Sequence, residues 1–281
     1  MNGEEQYLNL VKRIIKNGKY KTNRTGIGAY TIPHAMIQHD MSLGFPILTT
    51  KKMGFKSISV ELEGFINGIT DKQWYIDRKC SIWNEWCNPE KIPTGLNNEE
   101  KKEFQKKEVD LGKIYGYQWR NFNSEGYDQL KKNIDILKTD PDNRRMLVTA
   151  WNPNQLNQMA LPPCHVLHHL NVIEDTLHLC WFQRSVDTML GLPYNLASYA
   201  LLLHLYCKES GLKEGLVSGF LSDVHIYENH IDGAKIQMER TPLLLPKIET
   251  SNFTSIFDWN HTNTKVIGYT SHERMNFEVA I

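Results

Sequence analysis

A long, almost uninterrupted apolar segment constrains the fold of this chain more than any other feature. Residues 193–209, PYNLASYALLLHLYCKE, carry charges only at their end and are followed by Gly211, a typical helix terminator. A helix that is apolar on nearly all sides cannot face water, so we predict that it lies buried at the centre of the protein. With 281 residues, 41% of them hydrophobic, the chain is long enough to build such a core in a single domain, 1–281.

Shorter patterns predict the elements around this helix. Apolar residues at helical spacing indicate a first helix that ends at Gly18 and a second one around residues 62–66. Segments rich in β-branched and aromatic side chains predict strands at 145–151, 164–173 and 176–184, with a hairpin turn at Glu174-Asp175. Residues 88–110 are crowded with Lys, Glu, Asn and Pro and lack apolar periodicity, so we predict a solvated insertion loop there.

The overall composition excludes several classes of function. Lys plus Arg equals Asp plus Glu at 32 each, and a net charge of zero argues against a nucleic acid or an anionic membrane as the main partner. Five cysteines without paired spacing and a polar, acidic N-terminus without a secretory signal predict a cytoplasmic location. The absence of CxxC and HExxH motifs predicts no metal site, and no apolar run is long enough to predict a membrane span.

One stretch concentrates residues that suit catalysis. Cys164 follows Leu161-Pro162-Pro163, and the segments 183–187 (QRSVD) and 191–195 (GLPYN) come shortly after it. An ionised cysteine is a strong nucleophile, and neighbouring cations favour its thiolate. Taken alone, however, Cys164 fits a small buried hydrophobic residue better than a nucleophile.

Isolated arginines supply candidate anion-binding groups. Arg24 lies in the sequence NRTG, Arg144 and Arg145 follow DPDN, and Arg184 precedes Ser185. The planar guanidinium suits a phosphate, although each arginine taken alone fits an ordinary surface or interface ion pair better. Two neighbours on one strand point to opposite faces, so Arg144 and Arg145 cannot easily serve one ligand with equal geometry unless the preceding loop relaxes that constraint.

The order of these motifs resembles the thymidylate synthase family over nearly the whole length. The resemblance is carried by 23–26 (NRTG), 45–52 (FPILTTKK), 82–83 (IW), 114–120 (IYGYQWR), 143–145 (NRR), 160–165 (ALPPCH), the block 183–195, 225–227 (HIY) and the terminal 279–281 (VAI). It implies an α+β fold in which a mixed sheet is backed by helices and one sheet face forms the interface of a homodimer.

The same resemblance implies the reaction. Cys164 would add to C6 of the dUMP pyrimidine, and 5,10-methylenetetrahydrofolate would supply both the carbon and the hydride, giving dTMP and dihydrofolate without a metal. The implied catalytic residues are Cys164, Glu61, Tyr115, Asn195 and Trp83. Without the resemblance, Glu61 would better fit a solvated helix face, while for Asn195 a helix N-cap is the less favoured alternative.

Further residues of the family's site have counterparts in this chain. The implied dUMP ligands are Arg24, Arg184, Ser185, Asp187, Asn195, His225 and Tyr227, together with Arg144 and Arg145 contributed by the partner subunit across the dimer interface. An asparagine at 195 suits the uracil edge, because its amide offers both a donor and an acceptor. The implied folate contacts are Lys51, Trp83, Leu161, Asp187, Gly191, Tyr194, Val279 and Ala280, the last two in a tail that closes over the ligands.

Two alternatives remain open at this point. Glu63-Gly64 stands where the family commonly has an apolar residue followed by tryptophan, and an added acid could order a water that hydroxylates the one-carbon unit. That would make the chain a dUMP 5-hydroxymethylase, although the apolar Trp83, Leu161 and Val279 favour methylation. The second alternative is a non-catalytic dimer that binds nucleotides or RNA, which the retained Cys164 disfavours.

Overall fold

A mixed six-stranded sheet organises the computed structural model, which describes residues 2–280. The strands are Lys19–Lys21 (β1), Ala29–Asp40 (β2), Leu147–Thr149 (β3), His165–Ile173 (β4), Thr176–Asp187 (β5) and Lys213–Tyr227 (β6). They are ordered β1-β2-β6-β5-β4-β3, and only the β5–β6 pair is parallel. Two further strands, Lys247–Thr250 (β7) and Thr264–Ile267 (β8), form a separate antiparallel ribbon.

Helices back this sheet, as the α+β expectation required. They are Gly3–Asn17 (α1), Phe55–Ile66 (α2), Lys72–Asp77 (α3), Asn98–Lys107 (α4), Tyr115–Arg120 (α5), Gln129–Thr139 (α6), Gly191–Ser210 (α7) and Ile231–Met238 (α8). A parallel strand pair needs a crossover connection, and α7 supplies it between β5 and β6. The first two helices agree with the predicted ones.

The predicted central helix is α7. Leu201, Leu202, Leu203 and Leu205 are fully buried, because the helix packs against both β5 and β6. It ends at Gly211, whose φ of 77° lies in the left-handed region and whose N–H donates to the carbonyl of Cys207. The all-apolar sequence therefore marks a crossover helix enclosed by the sheet and its neighbours.

The predicted hairpin is formed by β4 and β5. Ile173 pairs with Thr176, so Glu174 and Asp175 make the two-residue turn, and Glu174 adopts a positive φ of 56°. The predicted strand 145–151 shortens to the three residues of β3, because it lies at the sheet edge and pairs only with β4. Cys164 immediately precedes the N-terminal end of β4, and the C-terminal part of β5 lies beside it through Arg184.

The prediction of a loop at residues 88–110 is wrong for its second half, which contains α4. None of the ten residues of α4 is buried, so the helix has no apolar stripe for periodicity to detect. It is stabilised locally instead, by a capping box between Asn97 and Glu100 and by acidic first-turn and basic last-turn residues. Polar sequence here reflects a helix on the surface.

Lys72 holds α4 and the segment that precedes it in place. Its side chain is completely buried, and Nζ donates to the carbonyls of Asn84, Trp86 and Gln105 at 3.3, 3.0 and 2.6 Å. A buried ammonium is costly unless its donors are satisfied, and here three carbonyls satisfy them. Lys72 thus ties the segment before α4 and α4 itself to α3.

One face of the sheet carries exposed apolar residues in register. Met36 pairs with Phe220, and Phe220 pairs with Phe182, so the three side chains form a row across β2, β6 and β5. They are 55%, 46% and 39% exposed. Large apolar side chains exposed in one row are typical of a surface that meets another protein.

Candidate active site

Cys164 lies at the entrance of β4, in a cavity of about 670 Å³. Its N–H donates to the phenol oxygen of Tyr115 at 2.8 Å, and its carbonyl accepts from the N–H of Arg184 at 2.8 Å. The backbone of Cys164 is therefore fixed from two sides, by α5 and by β5. Cys164 is itself one of the residues that line this cavity.

Burial and nearby cations act in opposite directions on this thiol. Burial raises the pKa of Cys164, while Arg184 and Arg24 lower it by favouring the thiolate, and burial dominates. The Arg184 guanidinium is held in place by the carbonyls of Pro163 and Pro162, at 2.8 Å each. The Pro-Pro dipeptide thus orients a cation beside the sulfur.

The cavity brings together many of the residues expected from the sequence. Its lining includes Arg24, Leu161, Cys164, Arg184, Ser185, His225 and Tyr227. These residues come from the loop before β2, the segment before β4, the end of β5 and the end of β6. A cluster of two guanidiniums, a hydroxyl and two ring groups around a thiol suits a phosphorylated ligand.

Other lining residues were missed by the sequence reasoning. They are Lys21, Asn23, Thr25, Ala29, Thr31, Trp86, Pro89, Gln105, Trp151, Leu156, Met159, Ala160, Pro162 and Asp223. Gln105 belongs to α4, so the excursion at 88–110 forms part of the cavity wall. No local signal marks Gln105, because it lies in a polar helix and only the Lys72 anchor brings it to this wall.

A buried acid lies on α2 and is not among the residues that line the cavity. Glu61 is only 9% exposed, and burial raises its pKa from 4.5 to about 7, against a smaller opposing effect of the Trp83 indole. The Trp83 side chain is itself buried. The structure excludes a solvated Glu61, and a carboxyl that titrates near neutrality suits proton transfer.

Tyr115 contacts both α2, which carries Glu61, and the backbone of Cys164. Its ring stacks on His165 with centroids 4.2 Å apart and on Phe65 with centroids 4.9 Å apart. Burial raises the pKa of the Tyr115 phenol, so the hydroxyl stays protonated. Burial also lowers the pKa of His165 to about 3, which keeps its imidazole neutral.

Asn195 lies one turn into α7 rather than at its N-cap, which is Leu190. Its Oδ1 accepts a hydrogen bond of 3.0 Å from Gln183 Nε2, while Gln183 Oε1 accepts from the Trp181 indole. The chain from Trp181 through Gln183 fixes how the Asn195 amide is turned. A fixed amide is what recognition of a planar base requires.

The turn in front of α7 is held by an acid and a lysine. Asp187 Oδ1 accepts from the N–H groups of Met189 and Leu190 at 3.0 Å each, and Lys51 Nζ donates to the Met189 carbonyl. Lys51 is 3% exposed, and desolvation lowers its pKa to about 8. The lysine expected at a folate tail is thus buried under this turn and engaged with the protein. Gly191 and Tyr194 belong to the first turn of the helix that follows.

Glu63 and Gly64 have structural explanations. The Glu63 carboxylate accepts from Asn260 Nδ2 at 3.2 Å and from the N–H of His261 at 2.9 Å, and it contacts His261 Nδ1 at 2.6 Å. A Cβ on Gly64 would lie 2.2 Å from the Tyr75 hydroxyl oxygen, so the glycine makes room for that ring. The 260–261 turn thus accounts for the Glu63 carboxylate and the Tyr75 ring accounts for Gly64, so the hydroxymethylase alternative is not favoured.

Arg144, Arg145, Val279 and Ala280 are not among the residues that line the cavity of their own chain. The two arginines are exposed in the turn before β3, where the Arg144 carbonyl contacts His169 Nε2. Val279 is 58% exposed and Ala280 is partly buried, while Ile281 lies outside the described residues.

Between Asn2 and Ala280, no group of three His, Cys, Asp or Glu side chains is arranged to hold a metal ion. Over the same residues, no helix is long and apolar enough to cross a membrane.

Comparison with known proteins gives a consistent result. The thymidylate synthase family model matches residues 5–281. The thymidylate synthases of Mycoplasma genitalium and Mycoplasma pneumoniae are 42% and 41% identical over 288 residues, which covers 99% of this chain and 100% of each relative. The bifunctional dihydrofolate reductase-thymidylate synthase of Paramecium tetraurelia is 37% identical over 290 residues, covering 99% of this chain and 61% of that protein. The chain therefore belongs to the thymidylate synthase family.

Proposed function

We propose that this protein converts dUMP to dTMP, with 5,10-methylenetetrahydrofolate as the donor of both the carbon and the hydride, and releases dihydrofolate. The observation that carries the proposal is a cavity in which Cys164 lies with Arg24, Arg184, His225 and Tyr227, in a chain of the thymidylate synthase family.

Cys164 starts the reaction as a nucleophile. Its thiolate adds to C6 of the pyrimidine, and the electron pair displaced to C5 attacks the methylene group carried by the folate. Loss of the C5 proton and departure of tetrahydrofolate leave an exocyclic methylene, which hydride from the same folate reduces as the thiolate is expelled. The raised pKa of the free thiol makes Arg184 and Arg24 important, because their charges favour the ionised sulfur.

Glu61 and Tyr115 handle the protons. With a pKa of about 7, Glu61 is divided between its acid and its base at neutral pH, as a proton relay to O4 of the pyrimidine requires. The Tyr115 hydroxyl, 2.8 Å from the N–H of Cys164, is close to where C5 would lie.

Asn195 reads the base. Gln183 holds its Oδ1, leaving Nδ2 to donate to O4 of uracil and the second lone pair of Oδ1 to accept from N3–H. Cytosine presents an amino group and an unprotonated N3 at these positions, so both pairings would be lost.

The phosphate and the sugar are bound at the basic end of the cavity. Arg24, Arg184 and Ser185 hold the phosphate, and His225 and Tyr227 donate to or accept from the sugar hydroxyl. Asp187 lies at the end of β5 between the nucleotide and the folate, where its second oxygen serves the ligands while Oδ1 holds the turn.

The folate occupies the apolar part of the site. Trp83 and Leu161 exclude water around the reacting carbon, and Gly191 and Tyr194 contact the folate from the first turn of α7. Lys51 supports this region from below, and the tail with Val279 and Ala280 covers the ligands during turnover.

The active form is a homodimer. The row of Met36, Phe220 and Phe182 forms the centre of the interface, and Arg144 and Arg145 cross it to the partner's phosphate site. This arrangement gives the exposed arginine pair a ligand that its own chain does not offer. We expect one catalytic domain, working in the cytoplasm, with no requirement for nucleic acid or a membrane.

One experiment tests the reaction directly. The protein is incubated with dUMP and methylenetetrahydrofolate, the nucleotide product is weighed by mass spectrometry, and dihydrofolate is measured in parallel. A methyl gain with an equal amount of dihydrofolate is expected. A hydroxymethyl gain with tetrahydrofolate, or no product in the presence of both substrates, would refute the proposal. Mixing Cys164→Ser subunits with Arg144→Ala subunits tests the dimer, because the mixture should regain activity that neither variant has alone.

A further inference from the structure

The C-terminal segment is seated on α8 through one aromatic ring. Phe277 lies directly against Gly233, where an added Cβ would come within 2.5 Å of Phe277 Cε1 and 3.0 Å of Cζ. Glycine is a poor residue for the interior of a helix, yet any other residue at 233 would displace the ring. We call this notch in α8, with the ring of His230 beside it, the Phe277 socket.

His230 forms the second wall of the Phe277 socket. Its ring meets that of Phe277 edge to face, with centroids 5.0 Å apart and an interplanar angle of 67°. Its Nε2 also contacts the carbonyl of Glu278 at 2.8 Å, and the residue is 1% exposed. The chain is thus held both at the ring of residue 277 and at the backbone of residue 278.

The open face of the Phe277 ring covers Lys51. The Lys51 ammonium lies 4.9 Å from the ring centroid, within the range of a cation–π contact. The same ammonium donates to the carbonyl of Met189, whose N–H donates to Asp187. A continuous series of contacts therefore joins the C-terminal segment to the turn that leads into α7.

We propose that Phe277 is a positioning residue for the folate side of the active site. By filling the Phe277 socket it keeps the Lys51 ammonium on the Met189 carbonyl, and this holds the turn 187–190 and the start of α7 in the arrangement that receives the folate. The inference rests on the proposed function for the identity of the ligand. The physical link from ring to turn stands without it.

The test uses Gly233→Ala, which pushes the ring out, and Phe277→Ala, which removes it. In steady-state kinetics we expect each variant to raise the KM for methylenetetrahydrofolate by about fivefold or more, with the KM for dUMP within about twofold of the unmodified protein. The double variant should match Phe277→Ala alone, because the added methyl has no ring left to displace. Met275→Ala, in the same segment, is the matched control and should change neither KM.

A second readout does not depend on catalysis. Hydrogen exchange followed by mass spectrometry should show faster exchange of the 187–190 amides in Gly233→Ala and Phe277→Ala, but not in Met275→Ala. Equal increases in both KM values, additive effects in the double variant, or unchanged exchange of this turn would each overturn the positioning role. If the unmodified protein makes no dTMP, the proposed function fails, while the exchange experiment still decides whether the ring holds the turn.

Discussion

Replacing Glu61 by glutamine should stabilise the protein while it removes catalysis. Burial raises the pKa of Glu61 from 4.5 to about 7, so the folded protein holds a proton that the unfolded chain releases between these values. Stability consequently falls as the pH rises through this window, and above about pH 7 the full cost is present. Glutamine is neutral at every pH and avoids this cost.

The size of the effect follows from the two pKa values. Each pKa unit corresponds to about 1.36 kcal/mol, so the difference between 4.5 and about 7 is worth roughly 3 kcal/mol. At about pH 8 we therefore expect Glu61→Gln to exceed the unmodified protein in free energy of unfolding by roughly this amount. Below about pH 4.5 both states of the unmodified protein are protonated, and the difference should vanish.

Urea denaturation at fixed protein concentration, repeated across this pH range, measures the difference. Glu63→Gln is the matched control, because it makes the same substitution two residues further along α2. Glu63 accepts from Asn260 Nδ2 and from the N–H of His261, so whichever way a glutamine is turned its NH₂ meets a donor. This variant should lose about 1–3 kcal/mol of stability.

Glu61→Gln should thus gain stability but lose turnover, whereas Glu63→Gln should lose stability but keep most of its turnover. Glu61→Gln should lower kcat by about two orders of magnitude or more, as expected for loss of a general acid–base group, and Glu63→Gln should retain most of it. The reasoning is refuted if Glu61→Gln gives no stability gain at about pH 8, or if its gain is the same at about pH 4.5.

Three further substitutions test other parts of the site. Cys164→Ser should still bind dUMP by calorimetry but lose turnover by about four orders of magnitude or more, and near-normal turnover would exclude it as the nucleophile. Asn195→Asp should lower the ratio of kcat/KM for dUMP over dCMP by about a hundredfold, whereas an unchanged ratio would tell against its reading of the base. Lys72→Met should leave three carbonyls without their donor and lower the free energy of unfolding by about 3 kcal/mol, measured by thermal unfolding. It should also expose residues 84–107 to limited proteolysis, and equal protease resistance would contradict the anchoring role.

Features encoded locally could be predicted from the sequence. The central helix α7 follows from an apolar run that ends at a glycine, and the β4–β5 hairpin follows from two strand patterns two residues apart. The cluster around Cys164 also followed, because the family's motifs occur in order along the chain. The structure then brings Arg24, Arg184, His225 and Tyr227 into one cavity.

Features that depend on contacts between distant residues could not be predicted. A lysine such as Lys51 is expected at the surface, and only the fold shows that it is buried in contact with Met189 and Phe277. Helix α4 has no apolar side to detect, and its approach to the cavity depends on Lys72, which lies 33 residues from Gln105 in the chain. The same holds for Glu63, whose partners lie about two hundred residues away, at 260 and 261.

Two helix glycines become intelligible only together with the aromatic residues that pack on them. Gly64 has no side chain where Tyr75 places its ring, and Gly233 has none where Phe277 does, so in each case volume missing from a helix is supplied by an aromatic residue elsewhere. A packed interior cannot tolerate a change at one member of such a pair without a matching change at the other. The sequence shows an acid and a glycine at 63–64 and invites a chemical explanation, because the compensating ring cannot be identified without the fold. In the fold, the Tyr75 ring fills the space beside Gly64, and Asn260 and His261 donate to the Glu63 carboxylate. Glu63 therefore has a structural role and need not order a water for hydroxylation.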